Sequence, residues 1–499
     1  MSYTHFERLT ALDAAFLAVE DHNTHMHVGA VSLFDAAPLV RPDGVLDMER
    51  IRRLVEVGIH RVPRYQQRLT TIPLFGNPVW IDDPHFNLNY HVRHVSLPKP
   101  GDERLLKRLA GRIMSQQLDR GKPLWELWVV DGIEGNRLAL VSKGHHCMID
   151  GVGSVELTSS LIRATAELEQ ALDHPVPWIT RPAPTPGALL LYELARRARA
   201  PLGALRAGSN LLSSPVAAIK ALRDTTMGIG EALATGLRPA SATPLNINIG
   251  PHRRFDWLDM DLEAIKNIKN RLSGTVNDVV LAIASGALRV FLRDRGLPIG
   301  ELDFRAMIPV NTRTAEQRER LGNQVTMIVG RLPLDERDPA RRLARVIEMT
   351  HALKRSRQGL GVRTLEDLSD STLASLFTAF AQLSTSARPY NIVVTNVPGP
   401  QFQAYFLGAP MQAVYPLVPL NRNQAVGIAL FSYNGKLCWG FNADWDAVPD
   451  LHVLVEAVET ELARLQQAAN AAPIPAARPK RAPARATRRQ HAERHRRAS

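Results

Sequence analysis

Two cysteines, Cys147 and Cys438, are all that the 499 residues contain. That scarcity excludes a disulfide framework and suits a reducing compartment. No Cys-x-x-Cys pair and no His-Glu-x-x-His motif occurs, so the common metal-ligand spacings are missing and no metal is expected. No uncharged apolar stretch approaches the ~20 residues that span a bilayer. The N-terminus carries Glu7 and Asp13 early and lacks a basic-then-apolar signal pattern. The expectation is a cytoplasmic protein whose association with the inner face of a membrane, or with lipid droplets, is peripheral. No Gly-x-Ser-x-Gly elbow is present, which argues against a serine acyl-enzyme. Zinc-finger spacing, a helix-turn-helix signature and interleaved aromatics are also missing, so no nucleic acid partner is expected.

Acidic residues are scarce in one place. From Arg478 to Ser499 nine Lys and Arg face a single Glu493, a net +8 within a chain total of +12. The rest of the chain is therefore close to balanced, and residues 467–499 read as a disordered Ala/Pro/Arg tail. Such a tail is either merely solvated or drawn to a polyanionic surface such as an anionic membrane.

What is present centres on Gly144-His145-His146-Cys147-Met148-Ile149-Asp150-Gly151-Val152-Gly153, just after the apolar run Leu138 to Val141. Histidine ionises near neutrality, so it can accept and return a proton within one turnover. Neighbours on a strand point to opposite faces, so His145 and His146 have different tasks. Asp150 lies four residues beyond His146, close enough to fold back and orient an imidazole or brace the loop. Cys147 is a poor nucleophile candidate, because no separate His–Asn set is identifiable as its partner.

The pattern H-H-x-x-x-D-G resembles the active-site motif of the CoA-dependent acyltransferase superfamily, which includes chloramphenicol acetyltransferase and peptide-synthetase condensation domains. The resemblance implies that His146 is the general base and that Asp150 and Gly151 belong to the loop that holds it, with His145 beside it. Other segments resemble one branch, the bacterial wax ester synthase / diacylglycerol acyltransferase family. They are Leu9 to Phe16, Met26 to Ala30, Pro123-Leu124-Trp125-Glu126, Gly250 to Phe255, Asn277-Asp278, Asn396-Val397-Pro398-Gly399-Pro400 and Ala443 to Asp450. Thr10-Ala11 stands where many relatives carry Ser-Pro. The likeness runs to about residue 465. It implies an α/β fold of two chloramphenicol-acetyltransferase-like halves, with mixed sheets flanked by helices and a channel between them. It also implies acyl transfer from long-chain acyl-CoA, a substrate and not a cofactor, to diacylglycerol or a long-chain alcohol.

The supporting motifs also have structural readings. Pro123, Leu124, Trp125 and Glu126 can simply open a strand with Trp125 in the core. Asn277 or Asp278 falls in the first turn of a long buried helix, where a short polar side chain caps free N–H groups; the resemblance instead puts the pair near the channel. Asn396, Pro398 and Gly399 follow an expected strand Ile392 to Thr395 and end it in a turn.

The chain divides into an acyltransferase domain (1–180), a Pro-rich break and basic amphipathic linker (181–244), a second domain (245–466) and the tail (467–499). Strands are expected at Val28–Phe34, Leu127–Gly132, Arg137–Lys143, Leu245–Ile249, Val325–Leu332, Ala425–Tyr433 and Lys436–Asn442, and helices at Leu46–Arg61 and Ser154–Gln170. From Leu189 to Arg223, leucines recur among arginines. That pattern fits a helix on a lipid surface or a crossover helix packed between domains. Two rival functions remain open. One is a condensation-type enzyme joining carrier-bound acyl groups to amines. The other is a non-catalytic lipid-coating protein.

Overall fold

The computed structural model describes residues 5–148, 161–167, 178–198, 239–311, 325–357 and 388–472. The N-terminal segment runs β1 (Glu7–Arg8), α1 (Ala11–Val19), β2 (His27–Asp35), α2 (Met48–Ile59), β3 (Gln67–Thr71), β4 (Pro78–Asp82), α3 (Leu88–His91), β5 (Val92–Ser96), α4 (Glu103–Ser115), β6 (Trp125–Ile133) and β7 (Arg137–His145). Residues 186–198 form a further helix, α5. Then follow β8 (Arg253–Asp261), α6 (Leu262–Arg271), α7 (Val276–Arg293), β9 (Arg305–Asn311), β10 (Val325–Arg331), α8 (Pro339–Arg357), β11 (Ile392–Pro398), β12 (Tyr405–Phe406), β13 (Ala409–Leu417), β14 (Val426–Tyr433), β15 (Lys436–Asp444) and α9 (Leu451–Ala471).

Two mixed six-stranded sheets organise these elements. One has the order β12-β13-β2-β7-β6-β5, the other β10-β9-β11-β14-β15-β8, and a small sheet runs β1-β4-β3. In the first sheet β5 and β6 are parallel and the other pairs antiparallel. In the second, β11 runs parallel to both neighbours. Strands β12 and β13 come from the C-terminal segment yet extend the N-terminal sheet, with Tyr415 opposite Val31. Nothing in the spacing of residues 405–417 announces this crossing, because alternation reports which face is buried and not which sheet receives the strand.

Helix ends follow local chemistry. Asp47 and Asp102 accept from the N–H groups of Arg50 and Leu105 and cap α2 and α4. The face of α4 carrying Leu106, Ala110, Ile113 and Met114 packs with Val31, Val130, Phe255 and Trp257, joining residues of both sheets. Gly111 lies against the carbonyl of Arg253, where a Cβ would collide with backbone. Helix α7 is buried along almost its whole length and forms the centre of the C-terminal core with α8 and α9.

Several expectations need correction. Leu245–Ile249 is not a strand but an irregular segment. The Asn246 side chain donates to the carbonyls of Asn391 and Asn423, and such side-chain bonding competes with a ladder. The strand expected to end at Thr395 continues through Asn396 to Pro398, paired with Leu430 to Ser432 of β14. Proline is tolerated there because β9 pairs with β11 only at Ile392 and Val393, so at Pro398 the strand is paired on the β14 side alone, like an edge. Residues 162–167 of the helix expected over Ser154–Gln170 are not helical, and Arg163 bridges to Tyr405; residues 154–160 and 168–170 lie outside the described residues. The amphipathic segment from Leu189 to Arg223 is helical up to residue 198, and its remainder also lies outside.

Candidate active site

Strand β7 delivers the double histidine. It runs between β2 and β6 with Leu138 and Leu140 buried on one face and Ala139 and Val141 on the other, and its register sets His145 directly opposite His27 and Gly144 opposite both Val28 and Trp125. The chain turns immediately after His145. The Met148 N–H donates to the His145 carbonyl at 2.9 Å, and the His146 N–H donates to the Met26 carbonyl at 2.8 Å. The Cys147 N–H donates to Nδ1 of His145 at 3.1 Å. Three main-chain N–H groups therefore hold the turn on which His146 sits, two donating to carbonyls and one to the His145 ring, so that two of the three bonds use His145.

An accepting Nδ1 carries no proton, so the proton of neutral His145 is on Nε2. That atom faces the Glu20 carboxylate at 3.4 Å, too long and too poorly aligned for a strong hydrogen bond but close enough for electrostatic orientation. Glu20 is the C-cap of α1. Its side chain is 2% exposed and is held by Arg120 at 2.5 Å. Burial alone would raise the Glu20 pKa; the His145 and Arg120 contacts outweigh that and hold it below the usual carboxylate range. His25 and His27 lie close by, ring against ring at 5.2 Å, and burial keeps both pKa values below that of free histidine.

His146 faces differently. Its ring stacks on Phe16 of α1, centroids 3.9 Å apart and planes at 21°. Burial, chiefly, lowers its pKa to about 4. The imidazole is therefore neutral at pH 7 and able to accept a proton, although a weak base in its resting state. Burial pushes the Cys147 thiol far upward, so Cys147 is a protonated core residue and no nucleophile.

The remaining predicted residues separate into three groups. Asp150 and Gly151 lie outside the described residues. Pro123, Leu124, Trp125 and Glu126 meet the motif: Leu124 accepts from the His145 N–H at 2.9 Å. Trp125 opens β6, donates Nε1–H to the Tyr65 carbonyl at 2.7 Å and stacks on His91. Buried Glu126 pairs with Arg93 and Lys143, whose pKa burial lowers to about 8. Third, Asn277, Asp278, Asn396, Pro398 and Gly399 make their described contacts within the C-terminal half. Thr275 and Asp278 form a capping box on α7, and Asp278 also accepts from the Thr350 hydroxyl of α8 at 2.8 Å. Asn396 and Pro398 lie in β11, and the Gly399 N–H donates to Ser432 Oγ at 3.2 Å.

Sequence reasoning did not single out Glu20 or Arg120, and it met Phe16 only as the end of the Leu9–Phe16 segment, with no role assigned. Phe16 and Glu20 are four residues apart, the spacing that puts side chains on one helix face, and this was the available signal. Among the described residues no group of three or more His, Cys, Asp or Glu is arranged to hold a metal ion, and no single helix is long and apolar enough to cross a membrane.

Comparison with known proteins decides the family. The family model described as the wax ester synthase/diacylglycerol acyltransferase catalytic domain matches residues 9–280, and the WS/DGAT C-terminal domain matches residues 321–466. The chain belongs to the wax ester synthase/diacylglycerol acyltransferase family. It is an acyltransferase, as expected from the double histidine and its supporting motifs. A Mycobacterium tuberculosis relative, named "Probable diacyglycerol O-acyltransferase tgs2", is 32% identical over 467 residues, covering 91% of this chain and 98% of the relative. The fold is similar to that of the wax ester synthase/diacylglycerol acyltransferase from Marinobacter aquaeolei VT8, with a TM-score of 0.67 at 24% identity over 93% of this chain and all of that one. It is also similar to the first condensation domain of the CDA synthetase, with a TM-score of 0.58 at 16% identity over 94% of this chain and 98% of that one. Both confirm the expected two-sheet α/β architecture.

Proposed function

We propose that this family member transfers a long-chain acyl group from acyl-CoA to the hydroxyl of diacylglycerol or of a long-chain alcohol, with His146 as general base. The observation that carries the reading is a neutral imidazole at the end of β7, packed on Phe16 and held by a three-bond turn. His146 takes the acceptor hydroxyl proton as that oxygen attacks the thioester carbon. The tetrahedral intermediate then collapses, the C–S bond breaks, and the same proton goes to the CoA sulfur. His146 is returned neutral, and no other reactant is consumed. General-base catalysis supplies about 10²–10⁴-fold, and alignment of the two substrates supplies much of the rest. Asp150 and Gly151 are assigned to the loop that holds the base, and a channel between the two sheets admits the substrates.

Both acceptors partition into lipid, so the enzyme works at a membrane or lipid-droplet surface. Three features support this. Leu74 is 89% exposed at the tip of the β3–β4 turn. Leu191, Tyr192 and Leu194 face outward on α5, which the Phe6–Tyr192 and Arg197–Phe75 contacts tie to the same lobe. The tail beyond residue 470 supplies the basic charge that anionic lipid attracts.

The test is an assay of the purified chain with acyl-CoAs of several lengths, offering dioleoylglycerol against hexadecanol. His146→Ala should lose at least about a hundredfold in kcat while staying folded. Ester formation undiminished by that change would overturn the base assignment. Amide formation from carrier-bound acyl groups, with no ester, would favour a condensation enzyme. Deleting residues 470–499 should weaken binding to anionic vesicles without lowering turnover on dispersed substrate.

A further inference from the structure

Helix α1 ends on a residue its own physics disfavours. A carboxylate at a helix C-terminus meets the negative end of the dipole, and the last turn of α1 carries no basic residue to offset it. Burial adds a second cost, since the Glu20 side chain is 2% exposed and its Oε1 accepts no hydrogen bond. A residue that breaks local preference in two ways, beside a catalytic motif, is more readily explained by function than by stability.

Its surroundings indicate the function. Arg120 grips Oε2 from one side, at 2.5 Å from Nη2 and 3.1 Å from Nε. On the other side Oε2 faces Nε2 of His145 at 3.4 Å. The opposite ring nitrogen, Nδ1, takes the Cys147 N–H. A carboxylate on the Nε2 side favours the one tautomer that leaves Nδ1 free to accept. Reversing the tautomer would set the Nδ1 proton against the Cys147 N–H and break the turn that carries His146. His146 is thus bracketed by α1: Phe16 lies on its ring, and Glu20, one helical turn later, acts on the histidine before it.

We infer that Glu20 is a positioning residue for acyl transfer: it fixes the tautomer and orientation of His145, and His145, through the Cys147 N–H, aims His146 at the acceptor hydroxyl. This rests on His146 being the base. The charged and titratable groups that face the Glu20 carboxylate are Arg120, His145 and, at 3.9 Å, His27, so its loss acts through the histidine and is expected to lower kcat while leaving acyl-CoA binding alone.

The experiment is steady-state kinetics on the full chain with a long-chain acyl-CoA and dioleoylglycerol. Glu20→Ala should lower kcat about 10- to 100-fold, the size of effect that small misplacements produce, with KM for acyl-CoA within about twofold. Glu20→Gln keeps an acceptor toward His145 and should recover kcat to within about threefold of the parent. Adding Glu20→Ala to His146→Ala should cost nothing further, because residues acting as one unit are non-additive. Unchanged kcat in Glu20→Ala, a Glu20→Gln as slow as Glu20→Ala, or a further loss in the double variant would each overturn the inference. If Glu20→Ala does not fold, Glu20→Leu against Glu20→Gln repeats the comparison at nearly equal size. A fully active His146→Ala would instead overturn the base assignment, whereas an inactive His146→Ala beside a fully active Glu20→Ala would overturn the positioning role alone.

Discussion

The ring of His146 lies almost parallel on the ring of Phe16, with centroids 3.9 Å apart. One face of the imidazole is thereby closed to water. The contact joins the first helix of the chain to a loop more than a hundred residues later, and it helps explain why burial is the first cause of the lowered His146 pKa.

Activity should persist well below neutral pH. With its pKa lowered to about 4, His146 stays neutral, and so able to accept a proton, at pH values where a free histidine is already charged. The acid limb of kcat/KM should have its midpoint near 4 to 5 and not near 6.5. A limb centred above 6, measured where circular dichroism shows the fold intact, would contradict the assignment.

Opening the stack should move that limb. Phe16→Ala rehydrates one imidazole face, so the pKa rises toward the free value and the acid limb shifts to higher pH. At pH 7.5 kcat should also fall several-fold, because the ring loses a wall that orients it. Phe16→Leu keeps apolar contact and should lie between the two. A pH profile superimposable on the parent for Phe16→Ala would show that the stack is incidental.

Stability should decline on mild acidification. The pKa values of His25, His27, His91 and His146 all lie below that of free histidine, with burial the first cause in each. Below about pH 6.5 the unfolded chain takes up protons at these positions before the folded one does. The folded state therefore loses ground as pH falls from about 7 toward 4. Differential scanning fluorimetry should show the midpoint dropping over pH 7 to 5, before most carboxylates titrate. A flat midpoint across that window would refute this.

Asp278 should matter for folding and not for chemistry. Asp278→Ala removes half of the capping box on α7 and the buried Thr350–Asp278 hydrogen bond, leaving the Thr350 hydroxyl only the Ile347 carbonyl at 3.1 Å. The expected loss is about 1–3 kcal/mol in urea unfolding, with kcat unchanged in the folded fraction. A normal unfolding midpoint combined with a large fall in kcat would instead place Asp278 at the site.

Much of the outline was legible along the chain. Short apolar runs bounded by turn residues mark β2, β6, β7, β14 and β15, because a strand buried on both faces reads as a near-continuous apolar run. Leu245–Ile249 misled for a definite reason: Asn246 satisfies the carbonyls of Asn391 and Asn423, partners about 145 and 177 residues away, and no local pattern records them.

The sequence by itself determined that a double histidine closes a buried strand, since the two histidines, their flanking apolar run and the accompanying segments are all local. Only the tertiary structure decided what surrounds that motif. Phe16 against His146, Glu20 and His27 against His145, and β13 completing the N-terminal sheet all join residues distant in the chain. The physical reason is that a carboxylate or an aromatic ring acts through distance and desolvation. Both are set by packing, whereas order along the chain sets only which residues are near in sequence.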